Sequence, residues 1–173
     1  MSINSRKNRF IPAARRYSRT GFTLIELIVA LVVLAVAAAI IIPYATGTSG
    51  FQASAAARMI MSDLEYAQNQ AITTQTPVSV TFAVSSNSYT VSNASGTLIH
   101  PISKQAYVVD FDTSRGFGNV SMSSANFGGA SVVTFDALGA PDNNGTVTVV
   151  AGAHTYTVTV APISGRVTVS GND

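Results

Sequence analysis

An apolar run from Leu27 to Ile42, with no charged residue in it, constrains the fold of this chain more than any other feature. Counted from Gly21, the stretch up to Ile42 is long enough as an α-helix to extend about 30 Å, the thickness of one hydrocarbon core. Residues 22–43 are therefore predicted to form a membrane-spanning helix. Pro43 lies inside what reads as a continuing helix, so a kink is predicted there.

Glu26 stands at the start of this run, where an acidic side chain is costly. A charged group costs about 2.5–3.5 kcal/mol at the centre of a bilayer and less near its surface. A segment that served only as an anchor would lose nothing with Leu or Val in this place. We therefore expect Glu26 to meet a partner, a positive charge supplied within the membrane.

The charges of the chain fall into two groups. Six of its ten basic residues precede Gly21, with no acidic residue among them: Arg6, Lys7, Arg9, Arg15, Arg16 and Arg19. From Phe22 onward, four basic residues stand against eight acidic ones, a net charge of −4. Because a basic segment ahead of an apolar one stays in the cytoplasm, residues 1–21 are predicted to be a cytoplasmic leader. The part that follows the span is then exported. The chain has no cysteine, and an exported domain of this size does not need disulfides.

A second helical pattern follows the span. Small and apolar residues recur at helical spacing on one stripe, which contains Ala56, Ile60, Leu64, Ala67 and Ala71. The polar residues of the same stretch are predicted to lie largely off this stripe: Arg58, Asp63, Glu65, Gln68 and Asn69. Residues 44–76 are thus predicted to continue the helix as an amphipathic half that packs on its own domain.

After Pro77 the apolar period changes to two. Val78, Val80 and Phe82 alternate with small or polar residues, and a turn at 86–88 precedes the next alternating run, as a hairpin would require. Further strands are predicted over 106–111, 132–136, 146–150, 154–160 and 166–170, the last three as an antiparallel meander. The Ser-, Gly- and Asn-rich stretch 114–129 is left without a strand. Residues 77–173 are predicted to form an antiparallel β head, so the fold class is α+β.

The residues Gly21-Phe22-Thr23-Leu24-Ile25-Glu26 resemble the start of the type IV prepilin and type II secretion pseudopilin family. The resemblance implies that a membrane-embedded prepilin peptidase cleaves between Gly21 and Phe22 and that the new amine of Phe22 is methylated. It also implies that Glu26 meets the cationic terminus of a neighbouring subunit and so sets the assembly register. Pro43 matches the helix-breaking proline of that family.

A second resemblance covers the C-terminal third. The run Val133-Thr134-Phe135-Asp136-Ala137-Leu138-Gly139 and the later Gly165-Arg166-Val167 look like the H-type minor pseudopilins and their T-type fimbrial relatives. The heads of these proteins are small, β-sandwich-like and packed on the long pilin helix. The resemblance implies a minor pseudopilin, a structural subunit of a type II secretion pseudopilus. The alternative is a type IV minor pilin that acts in pilus assembly or DNA uptake.

The same resemblance implies a location and a set of partners. The protein is expected to be a single-pass inner-membrane protein with its head in the periplasm, and to become a fibre subunit after assembly. Its expected partners are the prepilin peptidase, other major and minor pseudopilins or pilins, and the inner-membrane assembly platform. Nucleic acid is not among them, because a net charge of −4 lacks the electrostatic footprint of phosphate binding. DNA contact would have to use Arg166, Arg115 and Lys104.

Two other interpretations of the N-terminus stay open. An ordinary signal peptide could be cut near Ala35-Val36-Ala37, where small residues suit its peptidase. A plain single-pass anchor would also explain the apolar run. An acidic residue inside the segment and the length of the apolar tract weigh against a signal peptide.

The sequence predicts no catalytic residue, no cofactor and no metal site. His100 and His154 have no metal-ligand spacing around them, and the chain has no Walker loop, nucleophile elbow or dinucleotide fingerprint. Calcium could be held by Asp110 and Asp112, or by Asp142-Asn143-Asn144, but ordinary turn chemistry explains the second cluster equally well. The protein is accordingly predicted not to be an enzyme.

Overall fold

The computed structural model describes residues 21–46 and 48–172, and the side chains of residues 21–38 and 48–171. The predicted leader, apart from Gly21, lies outside the described residues. The chain divides into two compact units, one of which ends at Ile42 while the other begins at Pro43.

The first unit contains most of helix α1, Leu24–Thr46. Its large apolar side chains from Leu24 to Val36 are exposed. Within the part of the chain that the structure describes, none of the helices combines the length and the apolar character needed to cross a membrane. The predicted span 22–43 includes residues 39–43, whose side chains lie outside the described set. The helix is continuous past Pro43, and the kink there stays a prediction.

Helix α2, Thr48–Thr74, lies in the second unit and confirms the predicted stripe. All five residues of that stripe are buried: Ala56, Ile60, Leu64, Ala67 and Ala71. The prediction was wrong for Asp63, which is also buried, because two tyrosine hydroxyls from the head meet its carboxylate. The helix ends where Gln75 adopts a left-handed φ of 53° and its side chain bonds the carbonyl of Ile72.

Nine strands follow in the described part of the chain: β1 Val78–Ala83, β2 Ser88–Asn93, β3 Gly96–Thr97, β4 Val108–Asp110, β5 Val120–Phe127, β6 Val132–Phe135, β7 Gly145–Ala151, β8 His154–Val160 and β9 Val167–Asn172. They form two antiparallel sheets. The first has the order β3-β2-β1-β6, with β4 also paired to β2. The second has the order β5-β7-β8-β9. The predicted hairpin of β1 and β2 and the predicted meander of β7, β8 and β9 are both confirmed.

Strand β5 lies in the stretch that the sequence analysis left without a strand. Its residues face the core and the solvent in turn, with Val120, Met122 and Phe127 buried. A register shift between Met122 and Ser124 interrupts the alternation. A bulge of this kind, together with small Ser and Ala residues, removes the sequence signal that period-two alternation normally provides.

One core joins α2 and the two sheets. Phe82 of β1 stacks on Phe127 of β5 with ring centroids 5.7 Å apart, and it also packs at 5.6 Å on Tyr89 of β2. The helix covers this core with its alanine-rich stripe, because small side chains let a helix approach a sheet closely. The α+β fold with a helix packed on antiparallel sheets is therefore confirmed.

Candidate functional site

The start of α1 is organised by Thr23 and Glu26. The backbone amide of Glu26 donates to Oγ1 of Thr23 at 3.3 Å, and the backbone amide of Thr23 donates to Oε2 of Glu26 at 3.5 Å. This reciprocal pair is a capping box, in which two side chains satisfy amides that the first helical turn leaves without partners. This local role of Glu26 was not predicted from the sequence. The Thr-x-x-Glu spacing was the signal that could have revealed it.

The predicted cleavage site lies just before this cap. Phe22 is 82% exposed, and no described atom beyond the chain neighbours of Gly21 lies within 4 Å of the place that a Cβ on this residue would occupy. Oε1 of Glu26 has no hydrogen bond to any described residue, whereas Oε2 is used by the cap. The carboxylate also lies at the positive end of the helix dipole. An exposed Gly–Phe bond thus stands one helical turn before a carboxylate, one oxygen of which has no hydrogen bond to a described residue.

A buried carboxylate lies in the head. Oδ2 of Asp63 accepts a bond of 2.6 Å from the hydroxyl of Tyr89, and Oδ1 accepts one of 2.9 Å from the hydroxyl of Tyr107. Loss of solvent raises the pKa of Asp63, while the two tyrosine bonds oppose that change. Burial and the adjacent carboxyl raise the pKa of both tyrosines. Because both carboxylate oxygens are occupied, this group holds α2 to the first sheet and has no free oxygen for chemistry.

His100 extends this cluster into the connection between β3 and β4. Its ring packs edge-on against Tyr107 with centroids 4.5 Å apart. Its Nδ1 accepts bonds of 3.2 Å from the backbone amides of Ile102 and Ser103. The histidine therefore orders its own loop. His154, by contrast, lies in β8 with its ring against Gly50 of α2.

The motif residues of the C-terminal third meet around Gln68. Its Nε2 donates to the carbonyl of Gly139 at 2.7 Å and to that of Ser164 at 3.0 Å. A Cβ on Gly165 would lie 2.5 Å from this Nε2 and 2.9 Å from the Gly139 carbonyl oxygen. The structure thus brings the two glycines of the predicted motif to one point on α2. The role of Gln68 was not predicted from the sequence, in which this residue is a polar one off the buried stripe.

The acidic residues considered for calcium are engaged by turns. Oδ1 of Asp142 accepts from the amides of Thr134 and Asn143 at 3.0 and 2.8 Å. Oδ1 of Asp110 accepts from the amide of Asp112 at 2.8 Å. Among the described residues, no group of three His, Cys, Asp or Glu side chains is arranged to hold a metal ion.

The basic residues considered for DNA contact lie in three different connections of the head. Lys104 is between β3 and β4, Arg115 is between β4 and β5, and Arg166 directly precedes β9. All three are exposed. Each belongs to a separate turn of the chain, so the fold gives no single element that presents them together.

Two protein families match this chain. The type II transport protein GspH family matches residues 56–165, which is more than half of the chain. The prokaryotic N-terminal methylation motif matches residues 16–42 and so includes Gly21, Phe22 and Glu26. Comparison with curated protein sequences finds no match.

Two solved structures share the fold. The minor pseudopilin EpsH from the type 2 secretion system of Vibrio cholerae is 12% identical, with a TM-score of 0.53 over 69% of this chain and 96% of that one. The type IV minor pilin FimU of Pseudomonas aeruginosa is 16% identical, with a TM-score of 0.50 over 68% of this chain and 87% of that one. At these identities the likeness concerns the fold. The match over residues 56–165 shows the family: the chain belongs to the GspH family of type II transport proteins.

Proposed function

We propose that this protein is a minor pseudopilin, a non-catalytic subunit of a type II secretion pseudopilus. The observation that carries the proposal is the presence of two matches on one chain. The N-terminal methylation motif covers residues 16–42, and the GspH family covers most of the head. A subunit of this kind needs a processed, membrane-anchored helix and a folded head, and the chain has a segment for each.

Processing by prepilin peptidase is proposed at the Gly21–Phe22 bond, followed by methylation of the Phe22 amine. The exposure of Phe22 and the open space around Gly21 support access to this bond. Glycine leaves the backbone open to close approach by an enzyme. Before cleavage the protein is anchored in the inner membrane with its head in the periplasm.

Assembly is proposed to depend on the charge of Glu26. Cleavage creates a cation at Phe22 on each subunit. Oε1 of Glu26, which has no hydrogen bond to a described residue, can accept from the amine of a neighbour while Oε2 stays in the cap. An unpaired carboxylate in an apolar environment is costly, so a wrongly placed neighbour is disfavoured. The partners in this step are other pseudopilins and the inner-membrane assembly platform.

The test is intact mass and N-terminal sequencing of the protein from its native membrane, with and without prepilin peptidase. We expect a chain that begins at methylated Phe22 only when the peptidase is present. Gly21→Val, which adds a branched side chain at the cleaved residue, should leave the chain uncut. A chain that starts near Ala38, as a signal-peptide cut after Ala35-Val36-Ala37 would give, or one that stays uncut with the peptidase present, contradicts the proposal.

A type IV minor pilin is the second candidate, because the fold is also that of FimU. The two candidates differ in the fibre that contains the protein. Sheared fibres from cells that lack the secretion ATPase, or from cells that lack the pilus ATPase, separate them. A mobility-shift titration of the protein with DNA at low salt tests the DNA-uptake variant, and the net charge of −4 predicts no shift.

A further inference from the structure

The outer edge of β9 carries unused backbone groups. Among the described residues, no strand pairs with β9 on the side away from β8. The carbonyl of Arg166 accepts from the amide of Ala161 at 2.9 Å, which fixes that pair as a hydrogen-bonded one. Since hydrogen-bonded and open pairs alternate in an antiparallel ladder, Val167, Val169 and Gly171 turn their amides and carbonyls outward.

Nothing in β9 protects this edge. The strand Val167-Thr168-Val169-Ser170-Gly171-Asn172 has no charged residue and no proline, and its pairing with β8 has no bulge. The whole second sheet lacks Asp, Glu, Lys and Arg in its four strands. Proteins usually guard an edge strand with charges, proline or a bulge, because an open edge is a template for another strand.

The opposite edge of the same sheet is closed. Strand β5 has a register shift between Met122 and Ser124. The side chain of Asn87 also bonds backbone groups of β5. Its Nδ2 donates to the carbonyl of Val120 and its Oδ1 accepts from the amide of Met122, both at 2.8 Å. Among the residues that the structure describes, the sheet is therefore open at the β9 edge and closed at the β5 edge.

We propose that the β9 edge accepts an extended, uncharged strand from a different subunit of the same fibre, an inference that rests on the proposed function. The incoming backbone would bond to the outward groups of Val167, Val169 and Gly171, which is recognition by strand addition. Ile163, 87% exposed in the turn that leads into β9, offers an apolar contact next to this edge.

A second copy of this chain does not suit the site. Antiparallel pairing of two β9 edges needs a two-fold axis. Because α2 packs on this sheet, that axis makes α2 of the second copy run in the opposite direction. Copies that repeat along one fibre are related head to tail, an operation that contains no such two-fold axis. Pairing of β9 with the β5 edge of another copy is blocked by Asn87 and by the bulge.

The experiment uses the full chain in its native membrane, with a photo-crosslinking amino acid in place of the exposed Ser170 of β9. The matched position is the exposed Ser124 of β5, on the closed edge. We expect Ser170, and not Ser124, to crosslink to another subunit that carries a processed prepilin-type N-terminus. Val169→Pro should abolish this adduct, since proline removes an outward amide and is tolerated on an edge strand. Thr168→Lys, which leaves the backbone intact and adds a charge to the same edge, should abolish it too.

The outcomes separate the two proposals. Leader cleavage and presence in sheared fibres test the proposed function, and their absence in the wild-type chain overturns both ideas. If the wild-type chain is in the fibre, the edge proposal alone is overturned by an adduct to a second copy or by equal adducts from Ser124. The absence of any adduct, or adducts that persist in both Val169→Pro and Thr168→Lys, also overturns it. Resistance of both variants to protease confirms that their heads are folded.

Discussion

The hydroxyl of Tyr89 donates a hydrogen bond of 2.6 Å to Oδ2 of Asp63, and this contact joins β2 to α2 inside the core. Tyr107 completes the pair of bonds from the connection before β4. A charge on a buried helix face is costly unless its oxygens are satisfied, and here two hydroxyls meet them. The contact therefore fixes how the helix lies on the sheet.

Asp63→Ala should destabilise the head by about 2–5 kcal/mol, because it leaves two buried tyrosine hydroxyls without an acceptor and opens a void. Asp63→Asn should cost less, since an amide oxygen can still accept from one hydroxyl. Denaturant unfolding of the full chain in detergent, followed by tyrosine fluorescence, measures both. Glu65→Ala, at an exposed site two residues on in the same helix, is the control and should change stability by at most about 0.5 kcal/mol. Equal losses for Asp63→Ala and Glu65→Ala would contradict the structural role.

The contribution of Asp63 to stability should fall as pH rises. Burial raises its pKa in the folded protein above the ordinary value of 3.8, so the folded state binds the proton of the Asp63 carboxyl more tightly than the unfolded state does. Its contribution is then fully present below pH 3.8 and is lost as pH rises through the folded pKa. The measurement is the free energy of unfolding of wild type minus that of Asp63→Asn between pH 3 and pH 7. A difference that grows with pH would contradict this sign.

Gly165→Ala should destabilise the head by about 2–4 kcal/mol, because φ is +64° and the new Cβ would press on Gln68 and on the Gly139 carbonyl. Gly116→Ala is the matched control, since Gly116 also has a positive φ, +92°, but open space around its Cβ position. The difference between the two variants isolates the contact from the backbone strain. Thermal unfolding followed by circular dichroism measures it, and equal shifts would exclude a role for the contact.

Ile163→Gly should stabilise the protein by about 0.5–1 kcal/mol. Ile163 has a left-handed φ of 67°, which costs a branched L-residue about 1–2 kcal/mol. Glycine removes this strain but raises the conformational entropy of the unfolded chain, which offsets part of the stabilisation. Its side chain is exposed, so little packing is lost. Ile102→Gly, at a site that is 86% exposed and has no positive φ, should not stabilise. A lower unfolding midpoint for Ile163→Gly than for Ile102→Gly would refute the strain.

Glu26→Gln separates the cap from the charge. Glutamine also serves in a capping box, so this variant keeps the start of α1 but loses the carboxylate. We expect Glu26→Gln to be cleaved normally and to be depleted from sheared fibres as strongly as Glu26→Ala. Thr23→Ala, which removes the hydroxyl acceptor of the cap and keeps the charge, should enter fibres. Normal entry of Glu26→Gln would show that the cap, and not the charge, is what Glu26 supplies.

Local patterns were enough for the elements that depend on sequence neighbours. The stripe from Ala56 to Ala71 repeats at helical spacing, and Val78 to Phe82 alternates, so one helix and the first hairpin could be predicted from the residues alone. The same holds for the meander that ends in β9. The motif from Gly21 to Glu26 could be recognised for the same reason, because its residues are consecutive in the sequence. These features are written in short-range periodicity and spacing.

The tertiary structure alone decided which distant residues meet. Asp63 is buried because Tyr89 and Tyr107, 26 and 44 residues away, bring their hydroxyls to it. Gln68 gains its role from the carbonyls of Gly139 and Ser164, 71 and 96 residues away. The same is true of β5, whose interrupted alternation becomes a strand only beside β7. It is also true of β9, whose outer edge pairs with no strand of the described residues because of the order of the strands. The sequence determined which segments could form helices and strands. Packing decided which polar groups of these elements are hydrogen-bonded and which are not, because contacts between distant residues leave no periodic pattern in the sequence.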